Sequence, residues 1–242
     1  MPTIQQKVAL GDELLTAIRL LKCGLRELNR MDGTHDFYHM PIQLLALGFE
    51  RMMKVVICCH YFAVNGDFPK RQIFHQGKKG HDLIPLQDKI TRECFSDKYL
   101  EKIPAARQDI GFLRNDKQLR RIVRILSDFG TSARYYDLNI VLNEKNQVSS
   151  PEAEWQKLEM EILQEDKKWE EKIRDPSWMN EIHKKINKKL AVHCERFARS
   201  LSRLFTIGGL GEEAGRISPH THDFLFLMDD QLGEQNYENV RL

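Results

Sequence analysis

Apolar residues recur at three- and four-residue steps along most of the chain, and no alternating run long enough for a strand interrupts them. The pattern predicts an all-α protein. Val8, Leu14, Leu15, Ile18, Leu21, Leu25 and Leu28 place a first amphipathic helix over about residues 5–28. The segment Met31-Asp32-Gly33-Thr34-His35 breaks it. Pro41 suits the first turn of a second helix running to about Ala63, and Gly66 in Asn65-Gly66-Asp67 suits a left-handed cap. Residues 66–80 read as a loop. Asp82 then caps a third helix, with Pro85 in its first turn. A further helix is expected over 107–129, with Leu119, Ile122, Val123, Leu126 and Phe129 as its apolar face.

The second half is organised by charge. Residues 143–150 read as a linker, and Ser150-Pro151-Glu152 is a helix start: cap, proline at the first position, acid at the positive dipole end. That helix is expected to reach about Arg174, and Asp175-Pro176-Ser177 to open the next, which runs to about Phe205. The pair forms an antiparallel hairpin. Its first arm is acidic (Glu152, Glu154, Glu159, Glu161, Glu165, Asp166, Glu170, Glu171) and its second basic (Lys184, Lys185, Lys188, Lys189, Arg196, Arg199, Arg203). Mutual neutralisation is one reading; a basic face free for RNA or an acidic partner is the other. The expected division is a helical core over 1–142, the hairpin over 143–206, and a glycine-rich segment with an acidic tail over 207–242.

A formal net charge of +2 across 242 residues names no partner, so only local clusters carry electrostatic argument. Lys117, Arg120, Arg121 and Arg124 share one face of their helix, and Arg134-Tyr135 follows. Arginine and tyrosine together suit phosphate contacts and base stacking. Five cysteines, two of them adjacent and none in a Cys-x-x-Cys pair, fit reduced thiols in a cytoplasmic protein rather than a disulfide framework or a zinc site. The most apolar stretch, Leu44 to Phe62, carries Glu50, Arg51 and Lys54, so it reads as a buried core helix and no membrane association is expected. Gly208-Gly209-Leu210-Gly211 lacks the Lys-Ser/Thr of a phosphate-binding loop, and His220 and His222 are a weak metal signal. Neither a metal nor a cofactor is expected.

The second helix carries a polar stripe: Gln43, Glu50, Lys54 and Tyr61 fall within roughly 40° of one another around the axis. Glu50 and Lys54 form a favourable i,i+4 pair. The stripe reads either as an ion pair facing a solvent-lined groove or as a polar pocket shared with His81. Leu44 to Lys54, with its Glu50 and Lys54, resembles a core helix of HEPN-like proteins, particularly the abortive-infection V type. Lys78-Lys79-Gly80-His81-Asp82-Leu83 resembles the histidine-bearing helix start that follows it. The resemblance covers about residues 5–140. It implies a helical bundle, often a homodimer, and a role in bacterial defence or stress through RNA or a translation or defence partner. It also implies the alternatives of a metal-independent RNase toxin and of a non-catalytic adaptor. In its nuclease members an Arg is followed four to six residues on by a His; here Arg30–His35 and Arg216–His222 fit. The acid–base candidates are therefore His35 and His81, with Arg30 or Arg51 holding phosphate.

Overall fold

A computed structural model describes residues 2–32, 38–74, 80–146, 149–165, 169, 172, 175–207 and 209–239. Every regular element among them is a helix or a 3-10 turn, so the all-α expectation holds. Helix α1 (Ile4–Arg30) is opened by a capping box in which Thr3 and Gln6 satisfy each other's backbone N–H groups. Helix α2 (His39–Asn65) ends at Gly66, whose φ of 73° and N–H bond to the Phe62 carbonyl make the left-handed cap. The two run antiparallel at close range. A Cβ on Gly24 would meet Leu45 at 2.8 Å, and one on Gly48 would meet Leu21 at 2.8 Å. Glycine at both positions lets each helix receive a leucine of the other.

Around α2 stand α1, α3 (Leu83–Glu93), α6 (Lys117–Thr131), α9 (Met179–Ile207) and α10 (Gly211–Ile217). The centre is apolar: Ile42, Met52, Met53 and Val56 are fully buried, and Phe49 stacks on Phe197 of α9 with ring centroids 4.5 Å apart. Among the described residues no helix is long and apolar enough to cross a membrane. Between α3 and α6 lie α4 (Asp97–Lys102) and α5 (Pro104–Asn115). The single helix expected over 107–129 is therefore two. Asp116 adopts an extended conformation, and its side chain accepts from the Leu119 N–H at 2.8 Å, capping α6 and ending the run of α5. Beyond α6 come a 3-10 turn (Ala133–Tyr135) and the short α7 (Tyr136–Val141).

Helix α8 (Pro151–Gln164) starts at Ser150, which accepts from the Ala153 N–H, and packs on α6 and α9. Among the described residues one ion pair, Lys189–Glu165, joins the acidic arm to the basic one. Three residues of the basic arm are spent elsewhere: Lys188 pairs with Glu234, Arg199 with Asp229 and Arg203 with Asp109. The described residues 209–239 are folded onto the bundle through α10, α11 (His222–Leu225) and the segment beyond it. Leu210, Ala214, Phe224, Leu227 and Tyr237 enter the same core as α1 and α2. Its anchor is Glu195 of α9, fully buried, which accepts from the Gly233 N–H at 2.6 Å and the Tyr237 hydroxyl at 2.9 Å. Burial pushes the Glu195 carboxyl above its ordinary range, against those two hydrogen bonds.

Candidate functional site

Polar side chains of α2 that lie three, four, seven and eleven positions apart share a face, and here that face borders a cavity of about 300 Å³. Gln43, Glu50, Arg51 and Lys54 line it from α2, Glu13 from α1, and His81 from the segment leading into α3. Phe129 and Gly130 at the end of α6, and Arg134 just beyond, close the far side.

The backbone holds His81 in place from both directions. Gly80 has φ +82°, and a Cβ there would sit 2.8 Å from the Phe74 carbonyl oxygen, so the turn before His81 takes glycine. After it, Asp82 caps α3 by accepting from the Ile84 N–H at 3.1 Å. The Ser127 hydroxyl of α6 donates to the same Asp82 oxygen at 2.7 Å and accepts from the Leu83 N–H at 2.9 Å. This bridge fixes the start of α3 against α6.

His81 Nδ1 lies 3.0 and 3.1 Å from the two Glu50 oxygens. A carboxylate only accepts, so Nδ1 carries the hydrogen, and in the neutral ring the lone pair is on Nε2. Among the described residues no protein group bonds Nε2. The Glu50 side chain is 11% exposed and that of His81 is 47% exposed, so a buried carboxylate orients a ring that faces solvent. Lys54 Nζ also holds Glu50, at 2.6 Å. Arg51 Nη1 bonds both Glu13 oxygens, at 2.7 and 2.8 Å. Arg134 rests over the Tyr135 ring, 5.0 Å from its centroid, and has no ion-pair partner among the described residues. Three cationic side chains thus face two carboxylates, with a histidine beside them. The arrangement can hold an anion and exchange a proton at Nε2.

The structure brings together Gln43, Glu50, Arg51, Lys54, His81 and Arg134, which the sequence had assigned to three separate features. Tyr61 shares their stripe but lies seven residues past Lys54, about 10 Å along the axis, and does not line the cavity. Arg30 is also elsewhere, paired with Glu238 and Glu27. His35, its expected companion, falls outside the described residues. Lys117, Arg120, Arg124 and Tyr135 are exposed. Arg121, unlike Arg120 and Arg124, is neutralised by carboxylates: α8 packs against α6, and Arg121 pairs with Glu154 at 2.6 Å and Glu161 at 3.7 Å. Sequence reasoning missed Glu13, whose link to Arg51 spans 38 residues, and the aromatic wall at Phe129. The adjacent cysteines are poor nucleophiles, since burial pushes the Cys58 thiol up to about 11 and Cys59 higher still. Among the described residues no group of three or more His, Cys, Asp or Glu side chains is placed to hold a metal ion.

Comparison of the chain with protein-family models, with curated proteins and with solved structures finds no match.

Proposed function

We propose that this chain is a HEPN-like protein of bacterial defence or stress that binds RNA at the His81 cavity and cleaves it without a metal. The observation that carries this reading is the Glu50–His81 pair, with Nε2 unpartnered among the described residues beside Arg51, Lys54 and Arg134. Nε2 takes the proton of a ribose 2′-hydroxyl, and the 2′-oxygen attacks the adjacent phosphorus. The bond to the 5′-oxygen breaks, and that oxygen leaves with the proton returned from the imidazolium. Glu50 offsets the imidazolium charge, while the surrounding cations stabilise the charge gathering on the phosphoryl oxygens. The expected products are a 2′,3′-cyclic phosphate and a 5′-hydroxyl.

The test is incubation of end-labelled RNA with the protein in EDTA, comparing wild type, His81→Ala and Glu50→Gln. Cleavage lost in the first, slowed in the second and weaker in high salt supports the reading. Cleavage that survives His81→Ala, or RNA that fails to bind even at low salt, removes it.

A second reading, a non-catalytic adaptor for a protein partner or a homodimer, is favoured by one observation. Leu138, Ile140, Val141 and Leu142, in and just after α7, are all at least half exposed and adjacent in sequence. Stoichiometric copurification of a partner, lost on Val141→Asp, together with RNA left intact, favours that reading over the first.

A further inference from the structure

A second cationic recess lies between α3, the end of α5 and the start of α6. Its volume is about 360 Å³, on the scale of small-ligand sites. Arg114, Arg120 and Arg124 line it, with Gln87 and Asp88 from α3.

Among the described residues eight other arginines, Arg26, Arg30, Arg51, Arg92, Arg121, Arg199, Arg203 and Arg216, have carboxylate partners. Among the described residues Arg114, Arg120 and Arg124 have none. Two of them are instead held by neutral groups. Arg114 Nη2 donates to the Thr91 carbonyl at 2.6 Å, and Arg120 Nη2 donates to the Arg114 carbonyl at 2.5 Å. The latter is one of the carbonyls that the end of α5 leaves without an intrahelical partner. Arg114 and Arg120 are thus fixed in place with their charges not neutralised and with further N–H donors to offer. Gln87 Nε2 is committed to the Leu113 carbonyl at 2.8 Å, which firms the floor. Among the described residues Asp88 is the single acid lining the recess, and no arginine nitrogen of theirs comes within ion-pair range of it. Three guanidinium charges, two of them fixed, against one carboxylate around a concave surface is the chemistry of a phosphate site.

We propose that this recess binds a phosphate group, held by Arg120 and Arg124 with Arg114 behind them. The inference stands apart from the RNA-cleavage reading, since it uses none of the residues of the His81 cavity. The phosphate belongs either to a free nucleotide or to an RNA strand, and both present the same group.

The probe is pyrophosphate, followed by titration calorimetry on the full chain at low salt. Arg120→Gln and Arg124→Gln are each expected to weaken binding at least tenfold. Arg120→Lys recovers only part of the loss, because an ammonium lacks the guanidinium fork. Arg121→Gln, which touches a neighbouring cavity and not this one, is expected to leave the affinity within twofold. Nucleoside monophosphates and short single-stranded RNA then compete in separate titrations. Displacement by the monophosphate alone assigns a free nucleotide. Displacement by RNA, with Arg120→Gln weakening RNA binding, assigns a strand. No pyrophosphate binding, or binding lost in Arg134→Gln and retained in Arg120→Gln, overturns the proposal. Because His81→Ala leaves this recess intact, a protein that binds pyrophosphate but never cleaves RNA separates failure of the cleavage reading from failure of this one.

Discussion

Ser127→Ala tests how the start of α3, and with it His81, is held. The buried Ser127 hydroxyl makes two bonds: one from the Leu83 N–H at 2.9 Å and one to Asp82 at 2.7 Å. Truncation leaves the N–H of buried Leu83 without its partner, a loss of about 1–3 kcal/mol. The bond to the Asp82 carboxylate is charge-assisted, but Asp82 is half-buried and keeps the Ile84 N–H, so its share is discounted to about 1 kcal/mol. The sum is about 2–4 kcal/mol, or roughly 4–16 °C in Tm for a chain of this size. Urea denaturation followed by circular dichroism reads it directly, with the midpoint lowered and the slope unchanged. RNA cleavage, measured well below the new midpoint, should also fall as His81 loses its registration on Glu50. A stability change under about 0.5 kcal/mol would show that the bridge does not hold this turn, and the explanation given for the position of His81 would be wrong.

Other predictions concern the core and the C-terminal segment. In a double-mutant cycle of Phe49→Leu and Phe197→Leu, the stacked rings should show a coupling of about 0.5–1.5 kcal/mol; strict additivity would deny that α2 and α9 share one core. Glu195 is pushed above its ordinary value of 4.5 chiefly by burial, so its contribution to stability is fully present below that value and is lost as pH rises through the folded one. Glu195→Gln should therefore gain stability relative to wild type as pH goes from 4.5 toward 8, read from thermal unfolding at each pH. A constant difference across that range, or one that shrinks, contradicts the sign.

The parts of the fold visible in the sequence were those governed by local rules. Helices α1 and α2 follow the spacing of their leucines, and Gly66, Asp82 and Ser150 cap where their chemistry allows. The break at Asp116 was hidden because Phe112 and Leu119, seven residues apart, fall in helical phase, and one aspartate between them reads equally well as a surface residue. The C-terminal fold was hidden for a different reason. Phe224, Leu227 and Tyr237 are scattered among acids, and only contact with Glu195 and Arg199 on α9 shows what they bury against. At the candidate site, Glu50 and Lys54 were legible as an i,i+4 pair, and His81 as the residue before a cap. Their union with Arg51, Glu13 and Arg134 depends on how α1, α2 and α6 pack, which no local pattern encodes. The same holds for Arg121, whose position on a basic helix face gave no sign that Glu154 and Glu161 would occupy it.

The central claim is that Glu50 fixes the His81 ring with Nδ1 protonated, leaving Nε2 as the group that meets RNA. Long-range proton–nitrogen NMR on histidine-labelled protein reads the tautomer of the neutral ring. The account predicts that His81 carries its hydrogen on Nδ1, that Glu50→Gln releases this preference, and that an uncleavable 2′-deoxy oligonucleotide shifts the Nε2 resonance. A neutral ring protonated on Nε2, or a resonance indifferent to both the substitution and the oligonucleotide, would contradict it.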